Sequence, residues 1–297
     1  MKSKFFGYYS YSPSELKEIL SNSIITLDYS LLLDINKLSH GRLMLDLLSN
    51  YSNRLWLPYD TAWMYHQKLQ ESIEEQILKV DTAKKYLTSF KSATDDPMNH
   101  PYIADDLASK YGSLMKLAID ALDKESKYLN ASLYKSKIRD RILNMFDGKI
   151  GDEYNFSDLQ RVCGDAAERA SIGRPPCISL ITSKIEREKF HYYIVWKQIQ
   201  QKLLGGNNNS IVFVTNQLTE NWFISYRNLT CVTSPFLRAE FENATGKLFF
   251  SMTANLFVRK FMPKSEKRQE YEKLLAQLHK MPQRRTGDSF DLSSNQL

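Results

Sequence analysis

Ile24-Ile25-Thr26-Leu27-Asp28-Tyr29-Ser30-Leu31-Leu32-Leu33 is the stretch on which the fold turns. A short apolar run ends in one carboxylate, and a leucine-rich helix start follows. A buried parallel strand delivers an acid in this way to the mouth of an α/β sheet, where open sheets place their sites. Asp28 admits two readings, a metal ligand or the N-cap of the next helix. The choice depends on whether other carboxylates converge on it.

Outward from this strand, Ser12-Pro13-Ser14-Glu15 predicts a capped helix before it, with Leu16, Ile19 and Leu20 on its apolar face. A helix over about 30–50 should follow, with a possible break at His40-Gly41. A second strand is expected at Arg54-Leu55-Trp56-Leu57, closed by Pro58, which lacks a ladder N–H. Residues 65–147 read as a helical insertion. Leu69, Ile73, Ile77 and Val80 repeat at helical spacing, as do Leu107, Tyr111, Leu114, Ala118 and Ala121, around a turn-rich break at Asp95 to Tyr102. The insertion could cap the sheet or serve as an arm for a substrate or partner.

Beyond it, Ser157 is the expected cap of one helix and Ser183 of another over about 184–204. Ile211-Val212-Phe213-Val214-Thr215 is the clearest central strand. Leu229 to Val232 and Lys247 to Ser251 are further apolar runs, with a short helix between them from Pro235 to Phe241. The alternation predicts a three-layer α/β fold with a central, mostly parallel sheet. We place the main domain at 1–260 and a charged helix with a disordered tail at 261–297.

The chain is 297 residues long, 42% hydrophobic and 25% charged, which suits a large core. No run approaches the roughly 20 apolar residues of a membrane span, and the start lacks a signal-peptide core, so a cytoplasmic protein is expected. Three scattered cysteines suit a reducing compartment and match no zinc pattern. The net charge of +6 is compatible with a polyanionic partner. The five histidines lack metal-ligand spacing, and no phosphate loop, dinucleotide fingerprint or nucleophile elbow appears. His191 could serve acid–base chemistry or simply pack.

The order of several short pieces resembles the PIN-like domain of bacterial proteins, a branch of the PIN nuclease superfamily. They are Leu27-Asp28 with Leu31-Leu32, Leu55-Trp56-Leu57-Pro58, His100-Pro101-Tyr102, Gly148-Lys149-Ile150-Gly151, and Arg169 ahead of Pro175-Pro176. Ile194 to Ile199, Phe213-Val214-Thr215, Asn221-Trp222 and Pro235-Phe236-Leu237 complete the series. The resemblance implies a metal-dependent phosphodiesterase in which several carboxylates hold Mg²⁺ or Mn²⁺ against RNA or DNA.

This chain departs from that pattern at most of the expected acids. Asp28 is retained as the metal-binding position. Met64 and Asn221 stand at other acid positions, and Cys177-Ile178-Ser179-Leu180 stands where a glycine and then an acid are expected. His191-Tyr192 stands for another Gly-Asp, and Asn216-Gln217 follows the Val-Thr strand. Ser30, Met64, Tyr192, Asn216, Gln217 and Asn221 are therefore expected to line the pocket. Neutral amides and a thioether are poor ligands for hard cations, which suggests a pseudo-nuclease.

A migrated site is the competing reading. Asp60 precedes Met64 by four residues and Glu188 precedes Tyr192 by four, each about 5.4 Å away along a helix. Asp28, Asp60 and Glu188 could then form a shifted catalytic cluster. Otherwise Asp60 caps its helix and Glu188 is solvated. Nucleic acid would meet Arg169, Arg174, Lys197, Arg259 and Lys260, with Lys264, Lys267, Arg268, Arg284 and Arg285 extending the basic bias. Three functions are expected from these alternatives. The first is a nucleic-acid- or protein-binding component of a bacterial toxin, regulatory or phage-defence system. The second is an active ribonuclease, and the third is a structural subunit whose arm makes the contacts.

Overall fold

The computed structural model describes residues 1–95, 105–226, 230–263 and 268–280. The expected break around His100-Pro101-Tyr102, and Leu229, Lys264, Lys267, Arg284, Arg285 and the tail, lie outside the described residues. The described chain forms two compact units, Met1–Tyr65 with Arg141–Leu297, and His66–Asp140.

In the first unit, α1 (Pro13–Asn22) starts with a complete capping box between Ser12 and Glu15. It leads into β1 (Ile24–Leu27), buried at every position. Next come α2 (Tyr29–Lys37) and α3 (Gly41–Ser49). The break between them needs glycine, because a Cβ on Gly41 would sit 2.1 Å from the Ile35 carbonyl oxygen. The long α4 (Tyr59–Asp95) begins in this unit, and α5 (Asp105–Ser132) belongs to the second.

After α6 (Lys137–Phe146), α7 (Phe156–Ser171) is capped by Asn155, whose side chain accepts from the Asp158 N–H. The cap is thus two residues before the expected Ser157. The single helix expected over 184–204 is two, α8 (Glu186–Lys189) and α9 (His191–Leu204). Ser183 does not cap either; its hydroxyl accepts from the Ile185 N–H in a tight turn.

The remaining elements are β2 (Ser210–Val214), the hairpin of β3 (Phe223–Tyr226) with β4 (Thr230–Thr233), α10 (Pro235–Thr245), β5 (Leu248–Met252), α11 (Ala254–Phe261) and α12 (Arg268–Lys280). Pro235 opens α10, and Gly246 closes it at φ +67°, a left-handed conformation suited to glycine. The main sheet is parallel in the order β1-β2-β5, with Ile24 beside Ile211 and Ile211 beside Phe249.

The expected strand at 54–57 is reduced to two parallel bridges, Ile25 to Leu55 and Leu57 to Ile150. The reason is local. The Trp56 N–H donates to Ile25, but the Leu57 N–H turns to Lys149, and Pro58 offers no N–H to continue. These bridges extend the parallel order beyond β1. The fold is therefore an α/β sheet with a helical insertion.

The core beneath the sheet is aromatic. Trp196, Trp222, Phe213, Phe241 and Phe249 are fully buried, with Phe213 and Trp222 ring centroids 4.4 Å apart and Trp196 and Phe249 4.9 Å apart. Such contacts add about 0.5–1.5 kcal/mol per pair beyond burial. They anchor α9 to β5 and the 219–223 segment to β2.

Candidate functional site

The carboxyl ends of β1, β2 and β5 converge through backbone bonds. Asp28 N–H donates to Val214 and Thr215 N–H to Met252. Asp28 holds the N-cap position of α2 with extended backbone, yet its side chain makes no capping bond. That corrects the capping reading. Its Oδ2 instead accepts from the Ser30 hydroxyl and, at 2.9 Å, from Thr215. Oδ1 is buried without a hydrogen-bond partner. The Thr215 hydroxyl also accepts from the Gln217 N–H, so Ser30, Thr215 and Gln217 form one small network around Asp28.

Asp60 lies fully buried in the first turn of α4, where the helix dipole favours a negative charge. Arg187 Nε donates to Oδ1 at 2.7 Å, and His191 Nδ1 lies 2.7 Å from Oδ2. Asp60 does not cap α4 by its side chain; its own N–H donates to Gln198 Oε1 at 3.1 Å. Arg187 reaches Glu153 at 3.1 Å and lies 4.3 Å over the Trp63 ring. Burial works against the guanidinium charge, but its hydrogen bonds and attraction to Asp60 and Glu153 hold its pKa above the ordinary value. His191 meets the Tyr29 ring edge-on at 4.9 Å, and its Nε2 is buried without a hydrogen-bond partner.

Glu188 is buried, contrary to a solvated placement, and accepts from Ser183 at 2.9 Å. The three acids of the shifted-cluster expectation thus have separate partners. Among the described residues, no three His, Cys, Asp or Glu side chains are grouped to hold a metal ion.

The replaced acid positions have structural partners. Met64 is fully buried, and Tyr192 packs edge-on against Trp222 at 5.9 Å. Asn216 donates to Asp34 at 3.3 Å and accepts from the Ala254 N–H at 3.3 Å. Asn221, also fully buried, uses both ends of its amide on one loop. Its Oδ1 accepts from Ile178 N–H at 2.9 Å and Ser179 N–H at 3.0 Å, while Nδ2 donates to the Ser179 carbonyl at 2.6 Å. Asn221, expected to be an acid, is thus bound to the backbone of the loop where a glycine and then an acid were expected.

A PIN-like domain model matches residues 24–237. The chain belongs to the PIN-like family. No significant match appears among curated proteins or solved structures. In this PIN-like protein the donor set does not fit the divalent cation expected of a metal-dependent nuclease. Asp28 offers one carboxylate with one oxygen already held by two hydroxyls. Asp60 is paired with Arg187 and hydrogen-bonded to His191, and the Asn221 amide oxygen is occupied by two N–H groups. Hard cations need several oxygen ligands free to turn toward them.

The expected nucleic-acid contacts are spread out. Arg169 donates to the Pro175 carbonyl and to Glu240 at 2.8 Å, with its guanidinium over the Tyr193 ring. It stabilises the Pro-Pro loop. Arg174 pairs with Glu240 at 3.0 Å but remains half-exposed, and Lys197 is partly buried on α9. Arg259 and Lys260 are exposed in the last turn of α11. Beside the loop stapled by Asn221 lies a cavity of about 690 Å³, lined by Arg174, Ile178, Leu218, Glu220, Phe223 and Phe236 among others.

Arg187, Glu153, Asp34 and Gln198 were not legible as site residues from sequence. Arg187 precedes His191 by four residues, which is one signal that could have paired both with a buried acid. No comparable spacing links Glu153, Asp34 or Gln198 to the site.

Proposed function

We propose that this PIN-like protein is a pseudo-nuclease, a binding component that holds nucleic acid while lacking the family's metal-dependent cleavage. The observation that carries this reading is Asn221. Its amide donor and acceptor both bind the 178–179 backbone, a bonding pattern that a carboxylate at the same position cannot reproduce. The buried Arg187–Asp60–His191 cluster supports it, because Arg187 there compensates the carboxylate without a metal. The overall charge of +6 favours an anionic ligand. A toxin, regulatory or phage-defence setting is the context that the family resemblance suggests.

The test is a nuclease assay on single-stranded RNA and DNA with added Mn²⁺, comparing wild type with Asp28→Ala. Oligonucleotide binding is measured by fluorescence anisotropy over a salt series. The expected result is no cleavage by either protein, with binding by both that weakens as salt rises. The orphaned Asp28 Oδ1 favours the active-ribonuclease alternative. Mn²⁺-dependent cleavage abolished by Asp28→Ala would establish that alternative and end the pseudo-nuclease reading.

A further inference from the structure

The helical arm, residues 66–140, carries two apolar seams, of which its own two helices cover one. α4 and α5 run antiparallel, with Lys84 Nζ 2.5 Å from Asp123 and the Ser126 hydroxyl donating to Asp81 at 3.3 Å. Their covered positions alternate by three and four residues. Val80, Lys84, Leu87 and Lys91 on α4 face Met115, Ile119, Leu122, Ser126 and Leu129 on α5. This is the spacing of an antiparallel coiled-coil seam.

A second seam of the same spacing lies beside it. On α5 it is Leu107, Tyr111, Leu114, Ala118, Ala121, Glu125 and Tyr128, and on α4 it is Lys79, Ala83, Tyr86 and Phe90. Leu114 is 63% exposed and Tyr86 70%. With the covered seam written as heptad positions a and d, these residues fall at c and g on both helices. The g positions of an antiparallel pair lie on the same side, so the two stripes join into one face. An apolar face of this length is characteristic of an interaction surface.

Charge and residue order identify its occupant. Residues 66–140 contain twelve Lys and Arg against twelve Asp and Glu, although the whole chain is +6. The arm therefore offers no net field to a polyanion or an anionic membrane. It is instead complementary to itself. Lay α5 antiparallel on a second copy, with the two-fold axis between Leu117 and Ala118. Leu114 then faces Ala121 of the second copy, Leu107 faces Tyr128, and Lys110 faces Glu125. Leucines meet an alanine and a tyrosine, Tyr111 meets Lys124, and the Glu125 carboxylate within the stripe meets Lys110 at its flank.

We propose that this face is a homodimer interface, in which two arms close a four-helix bundle. Its geometry is isologous, so each contact occurs twice. The inference rests on the arm alone and is independent of whether the PIN-like pocket cleaves.

Sedimentation of the full chain over a micromolar to hundred-micromolar series tests it. Wild type is expected to be dimeric. Leu114→Glu should raise the dissociation constant about a hundredfold, because the symmetry repeats the substitution. Lys110→Glu and Glu125→Lys should each weaken the dimer, and the doubly reversed chain should recover it. Lys110, Leu114 and Glu125 are all exposed, so circular dichroism spectra should keep the wild-type helix content. A monomer throughout the series, a dimer unmoved by Leu114→Glu, or a doubly reversed chain that stays dissociated overturns the proposal.

Discussion

Replacing Asn221 by Asp changes one NH₂ group into an oxygen and isolates the amide's contribution. The side chain is fully buried, so the new charge has no solvent to turn to. The two N–H bonds from Ile178 and Ser179 would strengthen on becoming charge-assisted, by about 1 kcal/mol each. Against this, the 2.6 Å donor contact to the Ser179 carbonyl becomes oxygen against oxygen. Losing that bond and leaving the carbonyl unpaired costs about 2–4 kcal/mol. Burying a carboxylate adds several kcal/mol, of which the strengthened N–H bonds recover only part.

The net expectation is a destabilisation of roughly 2–4 kcal/mol at pH 7. A protonated Asp can donate to Ser179 again, so burial and the facing carbonyl should raise its folded pKa above the unfolded value of about 3.9. The penalty is then small below that unfolded pKa and grows as pH rises through the folded one. Urea titrations of both proteins at pH 7 and near pH 4 measure this directly. Equal stability at pH 7, or a penalty that does not shrink in acid, would refute the staple argument.

Breaking the buried charge cluster should be as costly. Asp60→Asn and Arg187→Gln should each lose about 3 kcal/mol, and together less than the sum, because each single change strands a charged partner. Additive losses in denaturant titrations would show that the residues act separately. Burial pushes the Cys163 thiol to about 11 and the Cys177 thiol to about 12. The folded state therefore holds these protons more tightly than the unfolded chain. Their stabilising contribution is complete below the ordinary value of 9.0 and is lost as pH rises towards 11 and 12. Iodoacetamide at pH 8 should leave both thiols unmodified until urea unfolds the chain, and peptide mapping that finds rapid labelling would contradict their burial.

The sheet was legible where pattern and burial agree. Ile24 to Leu27 and Ile211 to Val214 are continuous apolar runs, and both are fully buried parallel strands. Leu55 and Leu57 were harder, because two bridges with diverging N–H partners give the same alternation as a short strand. In the site, sequence placed Asp28 at the sheet mouth through its neighbours. It could not show that Arg187 and His191 close on Asp60, because those bonds span 127 and 131 residues. Helical spacing identifies residues that share a face, but not the element that face meets.

The arm shows the same boundary between pattern and packing. Leu107, Tyr111, Leu114, Ala118 and Ala121 form a clear helical stripe in the sequence, yet the large residues of that stripe are exposed. The stripe that α4 covers carries Met115, Ile119, Leu122 and Leu129 as well as Ser126, and it faces Val80 and Leu87 beside Lys84 and Lys91. Periodicity alone does not say which of the two stripes the hairpin covers. Charge pairing across the hairpin accounts for the choice, because the Lys84–Asp123 pair and the Ser126–Asp81 bond fix its register. A hairpin held partly by polar contacts, with a second stripe of large apolar residues outward, has the residue pattern of half a bundle. Sequence periodicity locates both seams, and only a second set of helices makes the outer one intelligible.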